Sequence, residues 1–99
     1  KEGNVDKTYL IDGVFVEIGY SPNTDMVKDL VKLDDRGYIV IDKNNMSSVP
    51  GIFAAGDITD VIDKQVVIAV GDGSKAALAA QRFIEHATTS TTEQSIIPK

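Results

Sequence analysis

One stretch decides the fold, being apolar in its middle and ending in a Gly-Asp pair: Val49-Pro50-Gly51-Ile52-Phe53-Ala54-Ala55-Gly56-Asp57. A short apolar run followed by a glycine and a carboxylate is typical of a buried strand. Such a strand delivers a side chain and free backbone N–H groups to a ligand at its carboxyl end. The stretch therefore predicts a ligand site at the turn that contains Asp57.

Composition limits the classes of protein to which the chain can belong. It has 99 residues, which suffice for one small domain, with 42% hydrophobic and 25% charged residues. A net charge of -5 argues against a nucleic-acid-binding surface, which would need a basic face. No apolar run approaches the roughly 20 residues that a membrane-spanning helix requires. We expect neither nucleic acid nor a membrane as a partner.

The sequence contains no cysteine and begins with Lys1 rather than Met. Without cysteine, disulfides, thiolate metal sites and thiol redox chemistry cannot be formed by this chain alone. We find no basic and apolar signal peptide at its start. We therefore expect a segment of a longer protein.

Turn residues divide the first two thirds of the chain into short elements, with turns predicted at Asp35-Arg36-Gly37 and at Asp42-Lys43-Asn44-Asn45. Strands are predicted at residues 14–18, 38–41 and 52–55, because β-branched and aromatic residues there are bounded by turn signals. Apolar residues at helical spacing predict a helix over residues 25–33, with Asp25 as its cap.

Residues 64–86 allow two interpretations. Residues 66–70 resemble a strand, and residues 71–76 then match the G-x-G-x-x-A dinucleotide fingerprint. A Rossmann unit, however, needs a second parallel strand after its helix, and the residues after Ala76 are too few and too polar to provide one. We therefore predict one long helix that ends near Ala87, followed by a disordered tail.

The predicted helix carries an apolar stripe made largely of small residues. Its members step by four and three positions: Val66, Val70, Gly73, Ala77, Ala80 and Ile84, widened by Ala69, Ala76 and Phe83. Two glycines in a helix interior cost about 1 kcal/mol each, which indicates close packing against another helix or a cofactor.

Chemistry suitable for a ligand is concentrated at two points. Asp57 can accept hydrogen bonds from ligand hydroxyls, although an aspartate in a turn often caps local backbone instead. Gly56 lacks a Cβ, so the turn can approach a ligand closely. Lys64, Gln65 and Val66 open the helix, where unpaired N–H groups carry a partial positive charge.

The stretch at residues 49–57, together with the Lys-Gln-Val triplet at 64–66 and Gly-Asp-Gly at 71–73, resembles the second flavin-contacting motif of low-molecular-weight thioredoxin reductases. These are FAD-dependent pyridine nucleotide-disulfide oxidoreductases of class II. The resemblance covers roughly residues 10–86. It implies an α/β fold: the C-terminal part of a flavoprotein with two dinucleotide-binding domains, in which β-strands are followed by one long C-terminal helix.

The resemblance also implies a division of the chain. Residues 1–20 would be the closing strand of the NADPH-binding domain and the crossover from it. Residues 21–87 would be the C-terminal segment of a discontinuous FAD-binding domain, and residues 88–99 a flexible tail.

Roles for individual residues follow from the same resemblance. The family's matching aspartate binds the ribityl chain of FAD, which gives that role to Asp57 beside Gly56. The family's Arg-Gln-Ala-like triplet meets the flavin carbonyl oxygen through its last backbone N–H, which gives that role to Val66, with Gln65 beside it. Lys64 keeps the charge of the family's arginine but not its planar fork.

The implied function is transfer of electrons from NADPH through FAD to a disulfide on a thioredoxin-like protein. The resemblance implies a cytoplasmic homodimer whose N-terminal part holds most of the NADPH site and the redox cysteines, so this chain alone would be inactive. We assign it no catalytic residue and no metal: Asp57, Asp60 and Asp63 indicate a solvated acidic loop, and His86 has no catalytic partner. Two alternatives remain, a thioredoxin reductase-type ferredoxin–NADP reductase and a non-catalytic nucleotide-binding or interaction module.

Overall fold

The structure is a computed structural model that describes the backbone of residues 3–96 and the side-chain surroundings of residues 3–90. It contains two short 3-10 helices, Asp25–Val27 and Gly56–Ile58, and one long α-helix, α1, at Val66–Ile96. None of the helices in this part of the chain is long and apolar enough to cross a membrane.

Helix α1 confirms the prediction of one continuous helix, and residues 71–76 are helical rather than a dinucleotide-binding loop. The predicted end near Ala87 is wrong, because the helix continues to Ile96. The hydroxyls of Thr88 and Thr89 donate to the carbonyl oxygens of Ile84 and Glu85, both at 2.9 Å, so these threonines satisfy their side chains within the helix. The predicted flexible tail is therefore helical as far as Ile96, and its last three residues lie outside the described part.

The packed face of α1 differs from the predicted stripe. Ala76 and Ala79 are buried, whereas Val66, Val70 and Ile84 are 83%, 66% and 63% exposed. Of these two buried alanines, the predicted stripe included only Ala76, at its margin. The close packing expected at the helix glycines is also wrong, because a Cβ on Gly71 or Gly73 would meet nothing within 4 Å.

The predicted strands at 38–41 and 52–55 form single β-bridges rather than continuous ladders. Ile39 is central, pairing antiparallel with Leu33 and parallel with Thr59, and its N–H donates to Ile58 O at 2.9 Å. Phe53 pairs antiparallel with Met46. Ile39 is buried and, with Val31 and Tyr38, forms the small apolar core beside α1.

Two aspartates build the turns between these bridges. Asp34 Oδ1 accepts hydrogen bonds from the N–H groups of Arg36 and Tyr38, both at 2.9 Å. Asp42 Oδ1 accepts from Asn44 and Met46 at 2.8 and 3.0 Å. These turns lie where the sequence predicts them, because a short carboxylate can bond to the backbone two residues further on.

Two other predicted elements are wrong. Residues 14–18 form no strand and no β-bridge within the described part of the chain, and Phe15 and Ile18 are 96% and 92% exposed. A strand is stable only when a neighbour pairs with its backbone, and the described residues provide none there. The predicted helix 25–33 is reduced to the Asp25–Val27 turn and irregular turns, because its last residue, Leu33, pairs with Ile39 instead.

Candidate functional site

The Gly56-Asp57 turn depends on glycine. Gly56 is buried at the start of the second 3-10 helix and has φ of +82°, a conformation that side-chain-bearing residues rarely adopt. A Cβ on Gly56 would lie 3.5 Å from the Cβ of Ala69 on α1. The turn thus lies against the first turns of α1 at ordinary contact distance, and glycine is required at position 56 for its positive φ.

The carboxylate of Asp57 points away from this packing. Asp57 is exposed, and no described residue hydrogen-bonds its side chain. It lines a cavity of about 270 Å³ together with Tyr20, Pro22, Tyr38 and Ile58. The described residues therefore do not use this carboxylate as a local cap, and it is free to accept hydrogen bonds from a ligand.

Lys64 holds the loop that joins this turn to α1. Its Nζ donates to the carbonyl oxygens of Asp57, Thr59 and Val61 at 3.0, 2.9 and 3.1 Å. The same nitrogen lies 3.9 Å from the centre of the Tyr38 ring. An ammonium group has three N–H donors, and here all three face backbone oxygens of its own loop. The side chain of Lys64 thus acts on the shape of the loop.

Gln65 and Val66 occupy the exposed start of α1. The first helical hydrogen bond runs from Ala69 N to Gln65 O at 3.0 Å, so the N–H groups of residues 66–68 have no carbonyl partner within the helix. Gln65 lines a second cavity, of about 430 Å³, which shares Tyr20 and Tyr38 with the cavity beside Asp57. The free carboxylate of Asp57 and the residue Gln65 thus line two adjoining cavities that share Tyr20 and Tyr38, and Val66 follows Gln65 directly in the chain.

A buried polar cluster behind the turn was missed by sequence reasoning. Asp72, on α1, accepts hydrogen bonds from Gly56 N–H and from Asn45 Nδ2, both at 2.7 Å. Asn45 is fully buried and also donates to Ala54 O at 3.0 Å. Thr59, also fully buried, donates its hydroxyl to Gly56 O at 2.8 Å. Both backbone polar groups of Gly56 are therefore held by buried side chains.

The charge of Asp72 is maintained despite burial. Burial alone would raise the pKa of this carboxyl, but the hydrogen bonds from Asn45 and Gly56 and the nearby charge of Lys75 outweigh it and lower the pKa below its ordinary value. Lys75 Nζ lies 4.0 Å from Asp72 Oδ1 on the exposed side. Asp72 is thus a buried, ionised acceptor at neutral pH.

One signal in the sequence could have identified this cluster. Asp72 lies between two glycines on the small-residue side of the predicted helix, where a charged residue needs a buried donor. Gly71-Asp72-Gly73 entered the predictions through the rejected dinucleotide fingerprint and the family resemblance, and neither gave Asp72 a role. Asn45 gave no signal beyond its place in a turn.

Solved structures with the same fold are thioredoxin reductases. The enzyme from Streptococcus pyogenes aligns with a TM-score of 0.68 and 42% identity, over 75% of this chain and 24% of that chain. The enzyme from T. acidophilum aligns with a TM-score of 0.67 and 49% identity, over 77% of this chain and 25% of the other. The chain therefore shares the fold of about a quarter of a thioredoxin reductase, as its sequence motifs predict.

Curated relatives carry a different name. One subunit of the alkyl hydroperoxide reductase of Staphylococcus aureus is 57% identical over 74 residues, which are 75% of this chain and 15% of that protein. The corresponding protein of Pseudomonas putida is 56% identical over 70 residues, 71% of this chain and 14% of that protein. The chain thus spans about a seventh of the length of these relatives.

The family that matches is described as pyridine nucleotide-disulphide oxidoreductase, and the match covers residues 1–91. That is nearly the whole chain, and it includes both the Gly56-Asp57 turn and the start of α1. The chain belongs to the pyridine nucleotide-disulphide oxidoreductase family.

Proposed function

We propose that this chain is the FAD-binding C-terminal part of an NADPH-dependent, thioredoxin reductase-like flavoenzyme that passes electrons to a protein disulfide. One observation carries the proposal: the exposed carboxylate of Asp57 has no described partner and is joined by one braced loop to the free amides at the start of α1. An acceptor and a set of donors at the two ends of one loop suit a ligand with both hydroxyl and carbonyl groups.

The chemical character of these groups fits FAD. Ribityl hydroxyls can donate hydrogen bonds to a carboxylate that has no other partner, and Asp57 is such a carboxylate. The flavin carbonyl is an acceptor that a free backbone N–H can bind, which suits Val66, with Gln65 beside it. When bound, FAD would supply the two-electron chemistry by which NADPH becomes NADP⁺ and a disulfide becomes two thiols.

The residues of this chain would bind and orient the cofactor and tune its electrostatics. The start of α1 carries about half a positive charge, which would favour the negative charge that develops at the adjacent flavin carbonyl. Gly56 would allow close approach of the turn, and Lys64 would keep Asp57 and Val66 at a fixed separation. We assign this chain no catalytic acid, base or thiol.

The remainder of the enzyme would lie outside this chain. We propose that residues 1–20 close the NADPH-binding domain and that residues 21–87 belong to the FAD-binding domain. The exposure of Phe15 and Ile18, at 96% and 92%, supports a covering segment that this chain does not contain. An enzyme that yields thiols suits the reducing cytoplasm, and we propose that location and a homodimeric assembly with a thioredoxin-like substrate.

A second candidate is a component of an alkyl hydroperoxide reductase. The observation that favours it is identity: 57% to the Staphylococcus aureus relative of that name, against 42% and 49% to the thioredoxin reductases of Streptococcus pyogenes and T. acidophilum. The two candidates share the FAD-binding role of this segment and differ in the protein that receives the electrons.

The test is to purify the full-length protein that carries this segment and record its visible absorbance. We expect bound FAD, and oxidation of NADPH that depends on an added oxidised thioredoxin. If thioredoxin gives no turnover but an alkyl hydroperoxide, supplied with the other component of such a reductase, does, the second candidate is correct. A colourless protein that binds no added FAD would contradict both candidates and favour a non-catalytic module.

The sequence of the full-length protein separates one further alternative. A Cys-x-x-Cys pair is required for reduction of a disulfide through protein thiols, whereas a ferredoxin–NADP reductase of thioredoxin reductase type needs none. NADPH oxidation coupled to ferredoxin, in a protein that lacks such a pair, would replace the proposed acceptor and leave the FAD-binding role intact.

A further inference from the structure

Asp72 connects the two elements that carry the candidate cofactor contacts. It belongs to α1, whose first residue is Val66, and it accepts the N–H of Gly56, the residue before Asp57, at 2.7 Å. A hydrogen bond between a carboxylate and a backbone N–H is among the stronger ones in proteins. The contact therefore fixes the Gly56-Asp57 turn relative to the helix that presents Val66.

The carboxylate is itself held in place. Its side chain is 8% exposed, and Asn45 Nδ2 donates to its second oxygen at 2.7 Å. Asn45 is fully buried with φ of 62°, and its Oδ1 has no partner within the part of the chain that the structure describes. The Nδ2 group of Asn45 donates to Asp72 and to Ala54 O, and these two hydrogen bonds set the orientation of the amide. They hold it although its buried oxygen is left without a partner, which is costly.

We propose that Asp72 is a positioning residue for FAD, which sets the separation of the Asp57 carboxylate and the Val66 N–H through its hydrogen bond to Gly56, and that Asn45 orients it. The inference rests on the proposed FAD-binding function. Asp72 itself faces the interior of this segment and touches no ligand. Its effect on the cofactor would pass through Gly56 alone.

The variant that tests this positioning role is Asp72→Asn in the full-length holoenzyme. The new amide can still accept Gly56 N–H through its oxygen, but its NH₂ group then faces Asn45 Nδ2. Either the two donors oppose each other, or the Asn45 amide turns over and Ala54 O loses its donor. We expect FAD to bind at least about tenfold more weakly to the folded apoprotein, as measured by quenching of flavin fluorescence. The visible absorption bands of the remaining bound flavin should shift, which a purely structural role would not produce.

A rescue variant and a control sharpen the result. Combining Asp72→Asn with Asn45→Asp restores a donor opposite an acceptor, and position 45 tolerates aspartate because its left-handed backbone suits that residue. Ala54 O loses its donor in this pair, so we expect only part of the affinity to return.

Lys75→Ala removes the 4.0 Å ion pair, whose lysine side chain is 52% exposed. It should leave the affinity within about twofold of the wild type.

The outcomes separate this inference from the proposed function. If the wild type binds FAD but Asp72→Asn binds it equally well with an unchanged spectrum, the positioning role is wrong and the proposed function stands. If the wild type binds no FAD, both fail. Should Asp72→Asn not fold, Asn45→Gly decides, because glycine keeps the left-handed backbone and removes the buried amide that donates to Asp72 and to Ala54 O. Affinity weakened about threefold or more then supports the proposal, and unchanged affinity overturns it.

Discussion

The ammonium group of Lys64 lies 3.9 Å from the centre of the Tyr38 ring while its hydrogens reach backbone oxygens of its own loop. Tyr38 is 4% exposed, so the cation rests on a fixed aromatic surface of the core. A cation over an aromatic face is attracted by the negative charge at the centre of the ring. The contact connects the loop before α1 to the core formed by the β-bridges.

Replacing Lys64 by methionine should loosen this loop. The change keeps most of the apolar stem but removes the charge and the donors for three carbonyl oxygens. We expect the free energy of unfolding of the full-length protein to fall by about 1–3 kcal/mol, as measured by denaturant titration. The control is Lys43→Met, since Lys43 is exposed on a turn. Equal stability of the two variants would contradict the bracing role of Lys64.

Gly56→Ala should be destabilising because of its backbone conformation. An alanine at φ of +82° is strained, whereas its Cβ would make only an ordinary contact with Ala69 at 3.5 Å. We expect a loss of about 1–2 kcal/mol in the free energy of unfolding, with a lower melting temperature. Gly13→Ala is the matched control, because a Cβ there meets nothing within 4 Å. A Gly56→Ala variant as stable as the control would show that the turn adopts another conformation.

The lowered pKa of Asp72 predicts how the free energy of unfolding depends on pH. Its pKa in the folded protein is lowered below the ordinary value of 3.8, so the folded state favours the ionised form. The stabilisation that results is fully present when the pH lies above the ordinary pKa of the carboxyl. It is lost as the pH falls through the lower pKa of the folded state. The stability difference between the wild type and Asp72→Asn should therefore be constant from pH 7 to about 5 and shrink below 3.8.

Urea unfolding of both proteins across this range measures the effect. A wild-type advantage that grows as the pH falls from 7 to 5 would mean that the pKa of Asp72 is raised in the folded protein, with burial outweighing its hydrogen bonds.

Asp57→Asn should affect the cofactor and not the fold. The side chain is exposed and has no described partner, so we expect the melting temperature of the apoprotein to stay unchanged. Loss of a charged acceptor should weaken FAD binding about tenfold or more, as measured by equilibrium titration of the full-length apoprotein. Asp63→Asn, which neutralises another exposed carboxylate of the same loop, should bind FAD as the wild type does. Equal weakening by both variants would indicate a general charge effect.

Local signals in the sequence predicted the long helix, the two aspartate turns and the Gly56-Asp57 turn correctly. Each depends on residues close to one another along the chain, such as the glycine needed at φ of +82° at Gly56. Strands were predicted less well, because a strand is defined by its neighbour. Residues 14–18 have a strand-like composition, but no described segment lies beside them.

Contacts between distant residues were beyond a single sequence. The bond from Asn45 to Asp72 joins positions separated by 27 residues, and neither residue type reveals the other. The packed face of α1 was also misjudged, since large apolar side chains such as Val66 and Val70 were expected inside. Those side chains are exposed here, and the buried residues of the helix are Ala76 and Ala79 instead.

The central claim is that Asp57 and Val66 bind one flavin, and a crystal structure of the full-length protein grown with FAD tests it most directly. We predict the Asp57 carboxylate within about 2.6–3.2 Å of a ribityl hydroxyl and the Val66 N–H at similar range of a flavin carbonyl oxygen. A map with FAD bound elsewhere, or with both groups turned away from it, would contradict the account.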